Sequence, residues 1–513
     1  MRTKNSVINL LVSWITQILN IILQFALRTV FIQALSAEYL GLNGLFSNIL
    51  SFLSFAELGF GSAITFSLYK PLAENDEKTV AGIMNFFKKV YFAVGFFVLV
   101  VGISLTPLLP HLINDMPDIP YIHFIYVLWV INSGTSYFLV YKSTLIIADQ
   151  RKDIVDKNNI VFKVLQLCLQ AFILFITRNY ILYLVIQIVM TLCSNISISI
   201  IADKRFNYLK QYKKEKIRDD TLSAIKRNVG ATILHKVGAV VIFGTDNILL
   251  SKFFGLFIVG LYSNYYLIIN TLTNLVGQIQ ASIVASVGNL GAVGTNEKKL
   301  EVFENYCFLN FWIFSFTSAC LASLLDPFIR FWIGDHYTLQ SIVVWVLVFN
   351  YFLTGFRSAA ATFNNAFGLF WNTRKLPVIE SVLNIAFSIV FADLFGYIGI
   401  FLGTTLSSLI TGAWFEPNIL YKEGFKHSVS KYYKRMVEYF CVTVIVSVLC
   451  IIVVNYISVN GVIGLILKFI SAGLLSNILL FMIYCRTNRI LNIYDLVRKV
   501  YRMLQSRRKG EVK

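Results

Sequence analysis

The sequence predicts an all-α integral membrane protein with about fourteen transmembrane helices. Three observations carry that prediction. Hydrophobic residues make up 57% of the 513-residue chain and charged residues only 14%, whereas a soluble domain carries about 25% charged residues. The mean hydropathy is +0.69. Apolar runs of about 20 residues, the length that crosses a hydrocarbon core, recur from one end of the chain to the other. This composition excludes a disordered chain and an ordinary cytosolic protein.

The spans fall at 6–33, 41–69, 83–108, 121–148, 158–177, 180–203, 225–252, 256–289, 301–325, 341–366, 377–395, 397–421, 436–456 and 461–485. The first is too long and too polar for a cleaved leader, and thirteen more follow it. Lys and Arg collect in cytoplasmic loops. With the N-terminus inside, the inside loops hold Lys70, Lys78, Arg151, Lys152, Lys157, the cluster from Lys204 to Arg218, Lys298, Lys299, Arg374, Lys375 and the run from Lys422 to Arg435. The outside loops hold only Arg178, Lys252 and Arg330, and the loop from Pro107 to Pro120 holds none. Both termini are therefore expected in the cytoplasm.

The outside loops are short, no longer than about fifteen residues, too short for a soluble domain. Any transport or chemistry is expected between the helices. After Cys485, Ile490, Ile493, Leu496, Val497, Val500 and Leu504 recur at helical spacing among Arg489, Arg498, Lys499, Arg502, Arg507 and Arg508. That pattern predicts an amphipathic helix lying on anionic lipids. The net charge of +18 sits mostly between apolar segments, which points to the membrane surface and not to nucleic acid. The seven cysteines lie scattered in apolar runs, with neither a metal-binding nor a disulfide pattern.

An internal repeat is legible. Leu40-Gly41-Leu42 is echoed by Val259-Gly260-Leu261, 219 residues on. Asn75-Asp76-Glu77-Lys78 is echoed by Asn296-Glu297-Lys298, and Tyr137-Phe138-Leu139 by Tyr351-Phe352-Leu353, at nearly the same offset. The offset spans six helices, so both copies enter the membrane from the same side, as in a parallel repeat. The predicted organisation is an N-lobe at 1–205, a basic linker at 206–223, a C-lobe at 224–425, an extra helix pair at 426–485 and the amphipathic tail at 486–513.

Ionisable groups in hydrocarbon cost several kcal/mol unless they face a cavity or a partner. In the first span Ser13, Gln17, Asn20, Gln24 and Arg28 share one face, which suits a cavity wall or interhelical hydrogen bonds. The seventh span carries Asn228, Thr232, His235, Lys236 and Asp246, with Asp246 placed to meet Arg28. Lys142 and Arg357 occupy equivalent repeat positions. Two such cations would suit a doubly charged anion such as pyrophosphate, and snorkelling to headgroups is the competing reading. Lys88, Lys89 and Lys163 read as snorkelling. Glu57 lies near the middle of the second span and is the leading carboxylate for ion coupling, followed by Asp246 and His235; Glu380, Asp393 and Glu416 rank lower. Asn270, Asn274 and Gln278 form a row of amides suited to sugar hydroxyls or to helix packing.

No GxxxxGK[ST], HExxH or GxSxG motif occurs, and no paired metal carboxylates. The expectation is a transporter, not an enzyme, with no cofactor and no metal, either drawing on an ion gradient such as that of protons or sodium or running downhill.

The stretch YLGLNGLFSNILSFLSFAELGFGSAITFSLYKPLAENDEKTV (39–80) resembles bacterial capsule and O-antigen repeat-unit flippases of the Wzx type. So do YKSTLIIADQ (141–150), GLFWNTRKLPVIESVLNIAFSIV (368–390), GYIGIFLGTTLSSL (396–409) and WFEPNILYK (414–422). Asn372-Thr373-Arg374 stands where many members have Asp-Arg-Tyr. The resemblance implies a MATE-like fold of two six-helix lobes with two added helices. It implies transfer of undecaprenyl-pyrophosphate-linked oligosaccharide between leaflets of the bacterial cytoplasmic membrane. Arg28, Lys142, Lys236 and Arg357 would be its cavity cations, and polysaccharide polymerase and assembly proteins its partners. The rivals are a drug/cation antiporter of the same fold, which would favour an acidic cavity, and a membrane-embedded glycan polymerase or ligase, which usually needs a sizeable outer loop.

Overall fold

A computed structural model describes residues 2–487 apart from 58, 59, 115 and 460. The predicted amphipathic tail at 486–513 thus lies almost wholly outside the described residues. The described chain is helical, with no strand among the described residues. It divides into two compact units, Met1–Ser263 and Asn264–Lys513.

The first unit holds α1 (Arg2–Ala34), α2 (Ala37–Leu53), α3 (Phe60–Ala73), α4 (Glu77–Ser104), α5 (Ile122–Ser136), α6 (Tyr141–Ala148), α7 (Lys152–Thr177) and α8 (Tyr180–Arg205). Next comes α9 (Asp219–Val293), which runs on into the second unit. The second unit continues with α10 (Asn296–Ile333), α11 (Ser341–Ala366), α12 (Leu376–Phe395), α13 (Tyr397–Ile410), α14 (Gly412–Ile419), α15 (Ser430–Tyr456) and α16 (Gly461–Tyr484).

Twelve stretches of the described helices are long and apolar enough to cross a membrane. The difference from fourteen has two sources. The 41–69 span is interrupted: α2 stops at Leu53, a tight turn covers Ser54–Glu57, and α3 begins at Phe60. The seventh and eighth spans are two helices that meet at Gly255 within α9, of which only the stretch Gly244–Gln278 is counted among the described residues. A straight helix of 75 residues would reach about 110 Å, far more than a bilayer, and Gly255 breaks it with φ +78°. That left-handed backbone is available to glycine at no steric cost. The Asn114 amide donates to the Ser251 carbonyl (2.9 Å) and Lys252 to the His111 carbonyl (2.7 Å), which holds the 111–114 loop over this bend.

The surface confirms the solvent. Phe96, Phe175, Leu394 and Ile463 are 67%, 84%, 66% and 69% exposed, while Gln170, Asn384 and Ser476 are fully buried. Apolar faces of this extent need lipid, so the chain is a multi-pass membrane protein. In the first unit Phe31 packs edge-on against Tyr180 and Tyr183. In the second, Phe311 stacks on Tyr439 at 3.9 Å and joins α10 to α15. Thr443 donates to Ser315 (2.9 Å) and Trp312 to Asn477 (2.9 Å), tying the α15–α16 pair to α10.

The sharpest helix–helix approach in the first unit is between α2 and α9. A Cβ on Gly41 would collide with the Leu256 carbonyl, and one on Gly260 with the Ala37 carbonyl. These are the two glycines of the repeat echo. Each lets the backbone of the other helix in, an arrangement typical of small-residue packing in membranes.

Helix starts are capped where the chain leaves the apolar region. Asp76 accepts from the Thr79 amide (3.0 Å) and the Thr79 hydroxyl (2.6 Å) at the start of α4. These bonds hold its carboxyl below the usual carboxylate range, with Arg218 adding to the effect. Asp76→Ala is expected to lower stability by about 1 kcal/mol, seen as a small fall in unfolding midpoint in detergent.

Candidate functional site

Lys142 sits at the start of α6 and reaches α8. Its ammonium donates to both oxygens of Asp203 (2.8 and 2.7 Å) and to Ser199 (2.8 Å). The cation is thus matched by a carboxylate of its own unit. Asp203 was not singled out in the sequence, because it is the last residue of the sixth span and adjoins the basic loop that starts at Lys204.

Arg357, its repeat counterpart on α11, is matched twice. It grips Glu380 of α12 in a fork (2.6 and 2.9 Å) and reaches Glu416 of α14 at 3.2 Å. It also donates to Ser408 of α13. Arg357 is 18% exposed and Glu380 only 5%. Gly412 makes room for the guanidinium, since a Cβ there would overlap it. One cation faces two carboxylates, so this cluster is not a bare cationic clamp. It locks α11 to the α12–α14 segment through charge-assisted bonds.

Arg28 of α1 donates to Ser263 of α9. Asp246 is buried in the same unit, beside buried Thr245 and Asn247. Glu57 occupies the turn that interrupts the second span, where it accepts from the Tyr91 hydroxyl at 2.5 Å. His235 and Lys236 lie on α9, with side chains outside those described, as for Ser13, Asn228 and Thr232. Gln17 and Asn20 of α1 are half-buried and Gln24 is exposed. Asn270 and Gln278 are half-buried and Asn274 is exposed. The next amide along, Gln280, carries the network: it donates to Asn310 (2.8 Å) and Ser358 (2.7 Å).

The second unit contains a cavity of about 590 Å³ among α10, α11, α15 and α16. Asp326, Arg330, Trp345, Asn455 and Lys468 line it. Asp326 is held by the Tyr265 hydroxyl at 2.6 Å. Lys468 lies seven residues into α16, about 10 Å along the helix axis. Among the described residues it makes no ion pair. Sequence reading passed over both Asp326 and Lys468, since a single charge barely lowers the apolarity of a long span. No group of three or more His, Cys, Asp or Glu side chains able to hold a metal occurs among the described residues.

No protein-family description matches the sequence, and no curated protein does. Solved structures match the fold. An inward-closed structure of the lipid II flippase MurJ aligns with a TM-score of 0.64 at 14% identity, covering 93% of this chain and 99% of its own. An inward-facing multidrug-resistance MATE transporter of the MOP superfamily aligns at 0.60 and 13% identity, covering 80% of this chain and 98% of its own. The Vibrio cholerae MATE transporter VcmN, in a mutant form, aligns at 0.56 and 15% identity, covering 83% and 99%. At such identities the likeness establishes a shared fold.

Proposed function

We propose that the chain is a flippase that moves polyprenyl-pyrophosphate-linked oligosaccharide from the cytoplasmic to the outer leaflet of the bacterial cytoplasmic membrane. It would work by alternating access, coupled to a proton or sodium gradient through Glu57, Asp246 or His235. The observation that carries the reading is the cavity with Lys468. An ammonium inside a span without a carboxylate partner costs several kcal/mol unless an anion or water meets it. Lys468 and Arg330, set beside the exposed ring of Trp345 and the Asn455 amide, offer an anionic glycolipid both charge and a sugar-facing surface. A soluble organic cation would gain nothing from these two groups. The fold adds support, since the flippase likeness covers more of the chain than the MATE likenesses above.

Arg28 and Lys236 are proposed to meet the pyrophosphate. Lys142 and Arg357, matched by Asp203 and by Glu380 with Glu416, are proposed to hold their helices in place. Polymerase and assembly proteins would take over the product outside.

The test uses proteoliposomes and a fluorescent polyprenyl-pyrophosphate oligosaccharide, with headgroup accessibility read across the bilayer. Lys468→Gln/Arg330→Gln is expected to slow transfer at least tenfold, through the loss of two charge-assisted contacts in the transition state. Wild-type protein that exports a lipophilic cation under a gradient and leaves the glycolipid in place would favour the antiporter. Chain elongation by the pure protein would favour the polymerase.

A further inference from the structure

The first unit contains a second cavity, of about 540 Å³, that the transport reading does not use. Lys88, Lys89, Lys142, Lys210 and Lys213 line it, with Asp203 as its one carboxylate. Asp203 is already bonded through both oxygens to Lys142. Among the described residues Lys88, Lys89, Lys210 and Lys213 make no ion pair.

The cluster is built by tertiary structure. Lys88 and Lys89 come from the fourth turn of α4, whereas Lys210 and Lys213 come from the segment after α8, more than 120 residues on. Asn85 fastens that segment to α4 by donating to the carbonyls of Tyr212 (2.9 Å) and Glu215 (3.0 Å). Gly82 lets it lie close: a Cβ there would stand 2.6 Å from the Lys216 carbonyl. The Asn85 side-chain bonds and a close approach therefore hold four unmatched ammonium groups around one space. Like charges held together in this way repel unless an anion sits among them.

The same face of α4 continues into apolar side chains. Phe92 and Phe96 follow Lys88 at four-residue intervals and are 42% and 67% exposed, and the Lys88 ammonium lies 5.8 Å from the centre of the Phe92 ring. Ammonium groups at the membrane surface, with exposed rings one and two turns deeper, match a phosphate headgroup with acyl chains below it. Lysine binds as a point charge without the bidentate geometry of arginine. The site should thus select charge over headgroup shape.

We propose that this cavity holds the phosphate-bearing headgroup of an anionic membrane lipid in the cytoplasmic leaflet. This reading does not rest on the transport reaction, because its test reads lipid retention and not translocation.

The full chain in neutral detergent would be offered phosphatidylglycerol, phosphatidylcholine or soluble inorganic pyrophosphate. Retained lipid would be counted by native mass spectrometry, and the unfolding midpoint followed alongside. Phosphatidylglycerol is expected to be retained and to raise the midpoint, and the other two to do neither. Lys88→Gln/Lys89→Gln/Lys210→Gln/Lys213→Gln should cut phosphatidylglycerol retention at least tenfold. If that variant does not fold, Lys210→Gln/Lys213→Gln, which alters only two exposed side chains, should show a smaller loss of the same kind. Equal retention by wild type and the folded variant overturns the proposal, as does equal retention of phosphatidylcholine. A midpoint shift by pyrophosphate equal to that by phosphatidylglycerol overturns the lipid in favour of a soluble polyanion.

Discussion

Arg357→Ala is expected to destabilise the protein by about 3–5 kcal/mol, the usual cost of removing one partner from a buried charge cluster. The substitution leaves Glu380 and Glu416 facing each other without their shared cation. Glu380 is almost wholly buried, so water cannot take over from the guanidinium. In a thermal unfolding scan in detergent the midpoint should fall by roughly 3–5 °C, scaling from soluble domains. Arg357→Lys should fall in between, because it keeps the charge and loses the fork onto Glu380. Adding Glu380→Gln and Glu416→Gln to Arg357→Met should recover much of the loss, since neutral groups replace the stranded carboxylates. An unchanged midpoint in Arg357→Ala would show that the cluster does not hold α11 to the α12–α14 segment.

Gly41→Val and Gly260→Val are each expected to abolish the folded protein. A single Cβ at either position meets backbone, not a side chain that can turn aside. Overpacking a core usually costs about 1–3 kcal/mol, and here the two helices must also separate along their crossing. The measure is yield of monodisperse protein after extraction. Gly277→Ala is the control on the same helix α9: nothing lies within 4 Å of its added Cβ, and alanine favours helix over glycine. That variant should match or exceed wild-type stability. Wild-type yield from Gly41→Val would mean that α2 and α9 do not approach as described.

Much of the fold was readable in the sequence because its main determinant is local. A run of apolar residues long enough to span hydrocarbon marks itself, and the helices Ser341–Ala366, Leu376–Phe395 and Gly461–Tyr484 coincide with expected spans to within a residue or so. The interruption around Glu57 was not readable. Glu57 is the one charged residue between Leu40 and Leu68, and no proline marks the turn. The seam at Gly255 was located, since Lys252 and a glycine stand between two apolar runs.

The candidate site was legible only in half. Lys142 and Arg357 stood out as charges inside spans. Glu380 and Glu416 stood out as carboxylates but not as partners of Arg357, and Asp203 did not stand out, because pairing is a tertiary property: Asp203 lies 61 residues from Lys142, and Glu416 lies 59 from Arg357. A cation in a span can be read from sequence as free or matched with equal ease. Lys468 was missed for the opposite reason, as a lone charge diluted by the apolar residues around it.

The Gly41–Gly260 crossing also constrains biogenesis. Its two sides are separated by 219 residues, so α2 enters the membrane long before its counterpart has been synthesised. Until the ribosome has delivered the chain beyond Gly260, the groove at Gly41 stays filled by lipid or by a temporary neighbour. Contacts of such long sequence separation form slowly. The closing of this crossing is therefore a late step in the assembly of the first unit.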